Sequence, residues 1–156
     1  MREMIIQVIG AFVAASVLPI LFGIPKKHII ADGIVGALGW LCYLLVSQKM
    51  TVVMATLFAS MLVAFLSNML ARVMKAPVTV FLIPGILSMV PGTSIYRVIY
   101  YMINNDSENT RYYLMETLQI AGMIVFAILI VETVFRAISN VAAARFKRDY
   151  FTEQKS

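Results

Sequence analysis

The chain has 156 residues, of which 61% are hydrophobic and 13% charged, with a net charge of +5 and a mean hydropathy of +0.87. This composition excludes an ordinary soluble domain, because about 20 apolar residues in a helix cross a hydrocarbon layer of about 30 Å and the chain holds several such runs. With a single cysteine, Cys42, and a single histidine, His28, it carries no intrachain disulfide and no paired-histidine or cysteine metal motif. We expect an all-α integral membrane protein with no metal, no cofactor and no enzymatic site.

The apolar runs predict one membrane domain, residues 1–156, with five transmembrane segments, the fourth of them a broken helix. The segments are expected at about 4–22, 29–46, 50–70, 78–103 and 112–134, and a basic cytoplasmic tail over 135–156 follows. A signal peptide is the alternative for the first run. Its start is not strongly basic and no small-residue cleavage site follows it, so we favour a retained helix.

The basic residues predict the orientation of these segments. If all five segments span, nine basic residues fall on one side: Lys26, Lys27, Arg72, Lys75, Arg136, Arg145, Lys147, Arg148 and Lys155. Arg2, Lys49 and Arg111 fall on the other side. Because positive loops face the cytoplasm, we expect the N-terminus outside and the C-terminus in the cytoplasm of a cell-membrane protein.

The second segment combines small residues with a carboxylate. Gly33, Gly36 and Gly39 predict a helix that other helices approach closely. Asp32 lies about one turn inside this segment, where a charge is costly unless it is paired or solvated. Either Lys27 and His28 neutralise it from the headgroup level, or Asp32 handles a proton or substrate.

The stretch from Ala76 to Arg97 is apolar but is interrupted by Pro84-Gly85 and Pro91-Gly92. Proline removes an N–H and clashes with the preceding turn, so this stretch cannot be one regular helix. We predict a half-helix over Val78–Ile83, an unwound segment over Pro84–Gly92, and a second half-helix from Thr93 or Ser94. Irregular backbone at membrane depth is typical of transporter binding sites, although a proline kink without a ligand is the alternative.

The start of the second half-helix is the predicted anion site. Thr93 and Ser94 suit an N-cap there, and a helix N-terminus presents N–H groups and a positive dipole to a carboxylate. Arg97, one turn on, would reinforce anion binding or pair with an acid of a partner. The candidate substrate-binding residues are Pro84, Gly85, Ser88, Pro91, Gly92, Thr93, Ser94 and Arg97.

The fifth segment follows a polar run, 104–110, that we predict to be a loop. As helix, Glu116 shares a face with Gln119 and Met123, which makes it the second candidate for proton coupling beside Asp32. Pairing of Glu116 with Arg111 and of Glu132 with Arg136 is the default expectation. The tail is expected to be a helix on the membrane surface, with Arg145, Lys147 and Arg148 meeting anionic lipid.

Four stretches together resemble one known family in order and spacing. They are Phe22-Gly23-Ile24-Pro25-Lys26-Lys27, Gly36-Ala37-Leu38-Gly39-Trp40, Ala71 to Gly85, and Val90-Pro91-Gly92 with Ile95-Tyr96. The resemblance is to the threonine/serine exporter family, and within it to the small subunit of the split, two-gene form. Ser88 stands where many members have proline.

The resemblance implies export of threonine and serine from the cytoplasm, driven by the proton gradient or the membrane potential. It also implies a second membrane subunit of about five spans, since two odd-numbered units can pair with opposed topology as inverted repeats do. A dicarboxylate exporter subunit and a non-transporting structural or regulatory subunit are the alternatives. An intramembrane enzyme is disfavoured by the absence of catalytic motifs.

Overall fold

A computed structural model describes the backbone of residues 2–153 apart from Phe22 and Ile24, and side chains as far as Asn140. The described residues form six α-helices and one short 3-10 turn. They are α1 (Arg2–Leu21), the turn Lys26–His28, α2 (Ile29–Ser47), α3 (Val52–Met74), α4 (Val78–Leu87), α5 (Gly92–Ile103) and α6 (Ser107–Glu153).

The lengths and hydropathies of these helices confirm the predicted fold class. Four stretches are long and apolar enough to cross a membrane: α1, α2 with its preceding turn, α3, and α6 as far as Asn140. The pair α4 and α5 passes the same test jointly and bends by 46° at its break, so there are up to five spans. The fourth predicted segment is therefore the bent one.

The polar run before α6 is mostly helical, so the predicted loop over 104–110 is too long. Helix α6 begins at Ser107 because Asp106 caps it, its carboxylate accepting from the Asn109 backbone N–H at 3.1 Å. The Asn109 side-chain amide and then that N–H hold the pKa of Asp106 below its usual range, so the cap is ionised at neutral pH.

Helix α6 continues without interruption to Glu153, which confirms that the tail is helical through that residue. The side chains of Arg145, Lys147 and Arg148, and the whole of residues 154–156, lie outside the described part of the chain. Contact of the tail with lipid stays a prediction.

Helix α3 extends beyond the predicted segment and carries Arg72 inside its last turn. Thr51 caps its start and Lys75, at a left-handed φ of 51°, ends it. Arg72 therefore reaches sideways to α6, donating to the Ser139 hydroxyl at 2.9 Å, with its guanidinium 4.7 Å from the centre of the Phe135 ring. This contact fastens α3 to α6 at the basic end of the bundle.

Close packing around α2 confirms the prediction from its glycines. An added Cβ at Gly36 would overlap the Ala15 side chain of α1, and one at Gly33 would overlap Phe12 and Ser16. One turn further along α2, a Cβ at Gly39 would overlap Val63 of α3. Helix α2 therefore lies between α1 and α3 at near-backbone distance, as small residues allow in membranes.

Helices α4 and α5 pack against different parts of the bundle. Helix α4 contacts α1, α2 and α3, whereas α5 packs mainly against α6 and buries none of its own residues. The bend between them thus carries the chain from the α2–α3 side of the bundle to α6.

Replacing Gly85 with alanine is expected to destabilise the bundle. The new Cβ would lie 2.7 Å from Val63 Cγ1 and 2.9 Å from Val35 Cγ1, so α4 must move away from α2 and α3. Overpacking of this kind costs about 1–3 kcal/mol. The thermal unfolding midpoint in detergent should fall for Gly85→Ala.

Gly122→Ala on α6 is the matched control, because nothing lies within 4 Å of its added Cβ. Its midpoint should stay the same or rise, since alanine favours a helix over glycine. Equal midpoints for the two variants would contradict the tight packing of Gly85.

Candidate functional site

The break in the fourth segment is shorter than predicted. Helix α4 runs through Pro84 and Gly85 to Leu87, and only residues 88–91 are non-helical before α5 begins. The prediction of an unwound segment from Pro84 is wrong. Pro84 is buried inside α4, where packing against neighbouring helices holds the helix in shape despite the lost backbone hydrogen bond.

The start of α5 also differs from the prediction. Pro91 occupies the N-cap position and no side chain caps the helix, so the expected N-cap role of Thr93 or Ser94 is wrong. The backbone N–H groups of Thr93 and Ser94 have no hydrogen-bond acceptor among the described residues, whereas that of Ile95 bonds to the Pro91 carbonyl at 3.0 Å. Two free donors and the positive end of the helix dipole therefore face the break.

A small cavity of about 120 Å³ lies at this break. Residues 88–94 form one wall of it, and Trp40 and Tyr43 of α2 with Thr56 of α3 contribute to the other. Of the predicted substrate-binding residues, Ser88, Pro91, Gly92, Thr93 and Ser94 line the cavity. Pro84, Gly85 and Arg97 are not among its lining residues.

The sequence analysis did not predict that Trp40 and Tyr43 line the cavity. Trp40 stacks on Tyr43 with 5.0 Å between ring centroids, and its indole N–H is buried without an acceptor among the described residues. Tryptophan in membrane proteins favours the interfaces, so a tryptophan near the middle of α2 is the signal that would have pointed to a site.

Glu116 joins the cavity to a larger cleft. Its carboxylate accepts a hydrogen bond of 2.9 Å from the Ser94 hydroxyl, rather than pairing with Arg111 as expected. Glu116 also lines a cleft of about 790 Å³ together with Gln119 and Met123, which confirms that these three residues share a face. Val52 lines both spaces. The Ser94–Glu116 pair thus stands where the small cavity meets the open cleft.

Arg97 is exposed and points to α6. Its guanidinium donates to the Tyr113 hydroxyl at 3.3 Å and lies 5.1 Å from the centre of that ring. Glu132, by contrast, pairs with Arg136 at 3.6 Å as expected. Among the described residues, Arg97 has no acidic partner.

Asp32 does not line the cavity at the break, and of the two alternatives for it, pairing with Lys27 or His28 is not seen among the described residues. The residue is 0% exposed and both its carboxylate oxygens lack a hydrogen-bond partner among the described residues. His28 is buried within the protein rather than exposed in a loop. Its ring lies edge-to-face on Phe81, 5.3 Å between centroids.

The break is expected to be open to water while the outer surface of α6 is not. In a Cys42→Ala background, Thr93→Cys should react with a water-soluble maleimide in intact membranes, because a thiol needs water to ionise. Val125→Cys is the matched control, since Val125 is 56% exposed on the apolar span of α6 and should face lipid. Equal labelling of both positions would contradict a watery break.

One known protein family matches most of the chain. The family described as threonine/serine exporter, ThrE, matches residues 7–134, a stretch that contains the break, the cavity wall and Glu116. No curated protein and no solved structure matches the chain.

Proposed function

We propose, because the chain belongs to the threonine/serine exporter family, that it is one subunit of a secondary exporter for threonine, serine or a related small carboxylate-bearing metabolite. In this proposal the proton gradient or the membrane potential drives export from the cytoplasm. The observation that carries the proposal at residue level is the cavity at the break. There, the backbone N–H groups of Thr93 and Ser94 are unpaired, and the Ser94 hydroxyl donates to the Glu116 carboxylate.

The N-terminus of α5 is the proposed carboxylate site. The free N–H groups of Thr93 and Ser94 would donate to the cargo carboxylate, and the helix dipole favours a negative charge at this end. Arg97 lies one turn further along α5 and adds positive potential without lining the cavity. Ser88, Pro91 and Gly92 would shape the wall opposite Trp40.

Glu116 is the proposed site for the cargo's ammonium group. A zwitterionic amino acid offers a carboxylate to α5 and an ammonium to Glu116 at the same time. A dicarboxylate such as succinate would place a second negative charge beside Glu116, which is unfavourable in a poorly solvated site. This arrangement favours threonine or serine over a dicarboxylate.

Proton coupling is proposed for Glu116 and Asp32, the two carboxylates identified in the sequence. At Glu116, a proton and the cargo's ammonium would compete for one carboxylate. Release of cargo on one side of the membrane would then favour protonation, and deprotonation on the other side would favour cargo binding, so cargo and proton would move in opposite directions.

The partner in this proposal is a second membrane subunit of about five spans with opposed topology. The excess of basic residues beside α2, α3 and α6 supports a cytoplasmic C-terminus. With this orientation, the cleft at Glu116 would open to the outside of the cell and would release cargo there.

Uptake into everted membrane vesicles tests the exporter proposal. Vesicles would carry this chain alone, the membrane protein encoded beside it alone, or both, and labelled threonine, serine and succinate would be offered with and without an uncoupler. We expect threonine and serine uptake only with both proteins, and its loss with the uncoupler. No cargo-dependent uptake in any arrangement would favour the structural-subunit alternative.

Glu116→Gln should lower threonine and serine uptake by about tenfold or more, because a hydrogen bond to a charged group contributes about 1.5–3 kcal/mol. Succinate uptake, if present, should not fall. Glu132→Gln is the matched control, because Glu132 pairs with Arg136 away from the break. Copurification of the partner separates the alternatives: a purely structural role for Ser94 and Glu116 predicts loss of assembly instead.

A further inference from the structure

Three buried polar side chains near the basic end of the bundle have no partner. Asp32 and Ser67 are 0% exposed, and His28 is 3% exposed. Both Asp32 oxygens, the Ser67 hydroxyl and His28 Nδ1 lack a hydrogen-bond partner among the described residues. Buried polar groups are nearly always satisfied, so such a group of orphans marks a place where an ion, a water or another polar ligand would be stabilised.

The helix register places Asp32 and Ser67 at one depth, with His28 about one turn nearer the basic end. Val35 of α2 and Val63 of α3 both contact Gly85 of α4, which fixes a common level. Asp32 lies three residues before Val35, or about 4.5 Å along α2, and Ser67 lies four residues after Val63, or about 6 Å along the antiparallel α3. Both displacements run toward the basic end. Because three and four residues are both close to one helical turn, Asp32 lies on the same face of α2 as Val35, and Ser67 lies on the same face of α3 as Val63.

Phe81 of α4 completes this layer. Phe81 is four residues before Gly85, is buried, and contacts the His28 ring. Asp32 and Ser67 offer carboxylate and hydroxyl oxygens, and oxygens are the ligands that hard cations prefer.

No fixed positive charge balances Asp32 in the described residues. The neighbouring α1 side chains at Gly33 are Phe12 and Ser16, which do not titrate. Arg72 of α3 is turned to α6, where it bonds to Ser139. Lys26 and Lys27 are exposed, and α4 presents Phe81 and Pro84 to this layer. His28, four residues before Asp32, is the nearest titratable residue to it along the chain.

We propose that Asp32, Ser67 and His28 form a binding site for one monovalent cation, a proton or a sodium ion, that is separate from the cargo site. The ion supplies the positive charge that balances the Asp32 carboxylate, and Ser67 and His28 complete the polar surroundings of the ion. For its consequence in transport, this inference rests on the proposed function.

The two sites are linked by one rigid element. Phe81 in the cation layer and Ser88 at the cargo cavity are seven residues apart, or about 10 Å along α4. Between them, Gly85 is in close contact with Val35 and Val63. Occupancy of the cation site would therefore bias the position of α4, and through it the shape of the break.

Thermal unfolding of the purified two-subunit complex tests the site without transport. The midpoint would be measured against sodium chloride at constant ionic strength with choline, and against pH between 5 and 8 without sodium. A ligand that binds the folded state raises the midpoint. The wild type should therefore be stabilised by sodium, or by falling pH if the ion is a proton.

Asp32→Asn should abolish this dependence and Ser67→Ala should weaken it, whereas Glu132→Gln should leave it unchanged. Asparagine is isosteric with aspartate, and Ser67→Ala serves if Asp32→Asn fails to fold. The proposal is overturned if the wild-type unfolding midpoint changes with neither sodium nor pH. It is also overturned if the dependence of the midpoint on sodium or pH survives in Asp32→Asn.

Transport separates this inference from the function on which it rests. In sealed vesicles, Asp32→Asn should lose gradient-driven accumulation of labelled threonine by about tenfold, whereas Glu132→Gln should keep it. Full gradient-driven accumulation in Asp32→Asn would overturn the coupling role. Absence of any accumulation in the wild type would overturn the exporter proposal, and the unfolding measurements would still decide the cation site.

Discussion

Val63 of α3 occupies the space that two glycines leave open, Gly39 of α2 and Gly85 of α4. Lipid tails are as apolar as the helix surfaces, so close packing rather than hydrophobic burial holds such helices together. This single knob brings three helices to near-backbone distance. The positions of the break, the cavity and the buried Asp32 layer are all set relative to it.

The two prolines of the fourth segment have different consequences because their surroundings differ. Pro84 is buried next to Gly85, which packs against Val35 and Val63, and α4 stays helical through both residues. Pro91 lies beyond these contacts, where the chain leaves α2 and α3 and turns toward α6. Helix α4 has already ended at Leu87, Pro91 takes the N-cap position of α5, and the 46° bend exposes the start of α5.

Polar groups inside the apolar bundle are concentrated at two depths. At the break, Ser94 and Glu116 satisfy each other while the α5 N–H groups and the Trp40 indole stay free. In the Asp32 layer, the carboxylate has no partner at all among the described residues. An unsatisfied group in hydrocarbon is costly, so both places are where a solute or ion would be stabilised.

The sequence by itself determined the helical membrane class, the approximate spans, the broken fourth segment and the family, because apolar run length, glycine spacing and Pro-Gly pairs act locally. It also identified Asp32 and Glu116 as unusual charges. Only the tertiary structure decided that the break is confined to residues 88–91, that Ser94 binds Glu116, and that Trp40 lines the cavity. The reason is that neighbouring helices decide whether a helix continues through a proline and whether a buried carboxylate finds a partner. Which helix lies against a residue is not encoded in its local sequence.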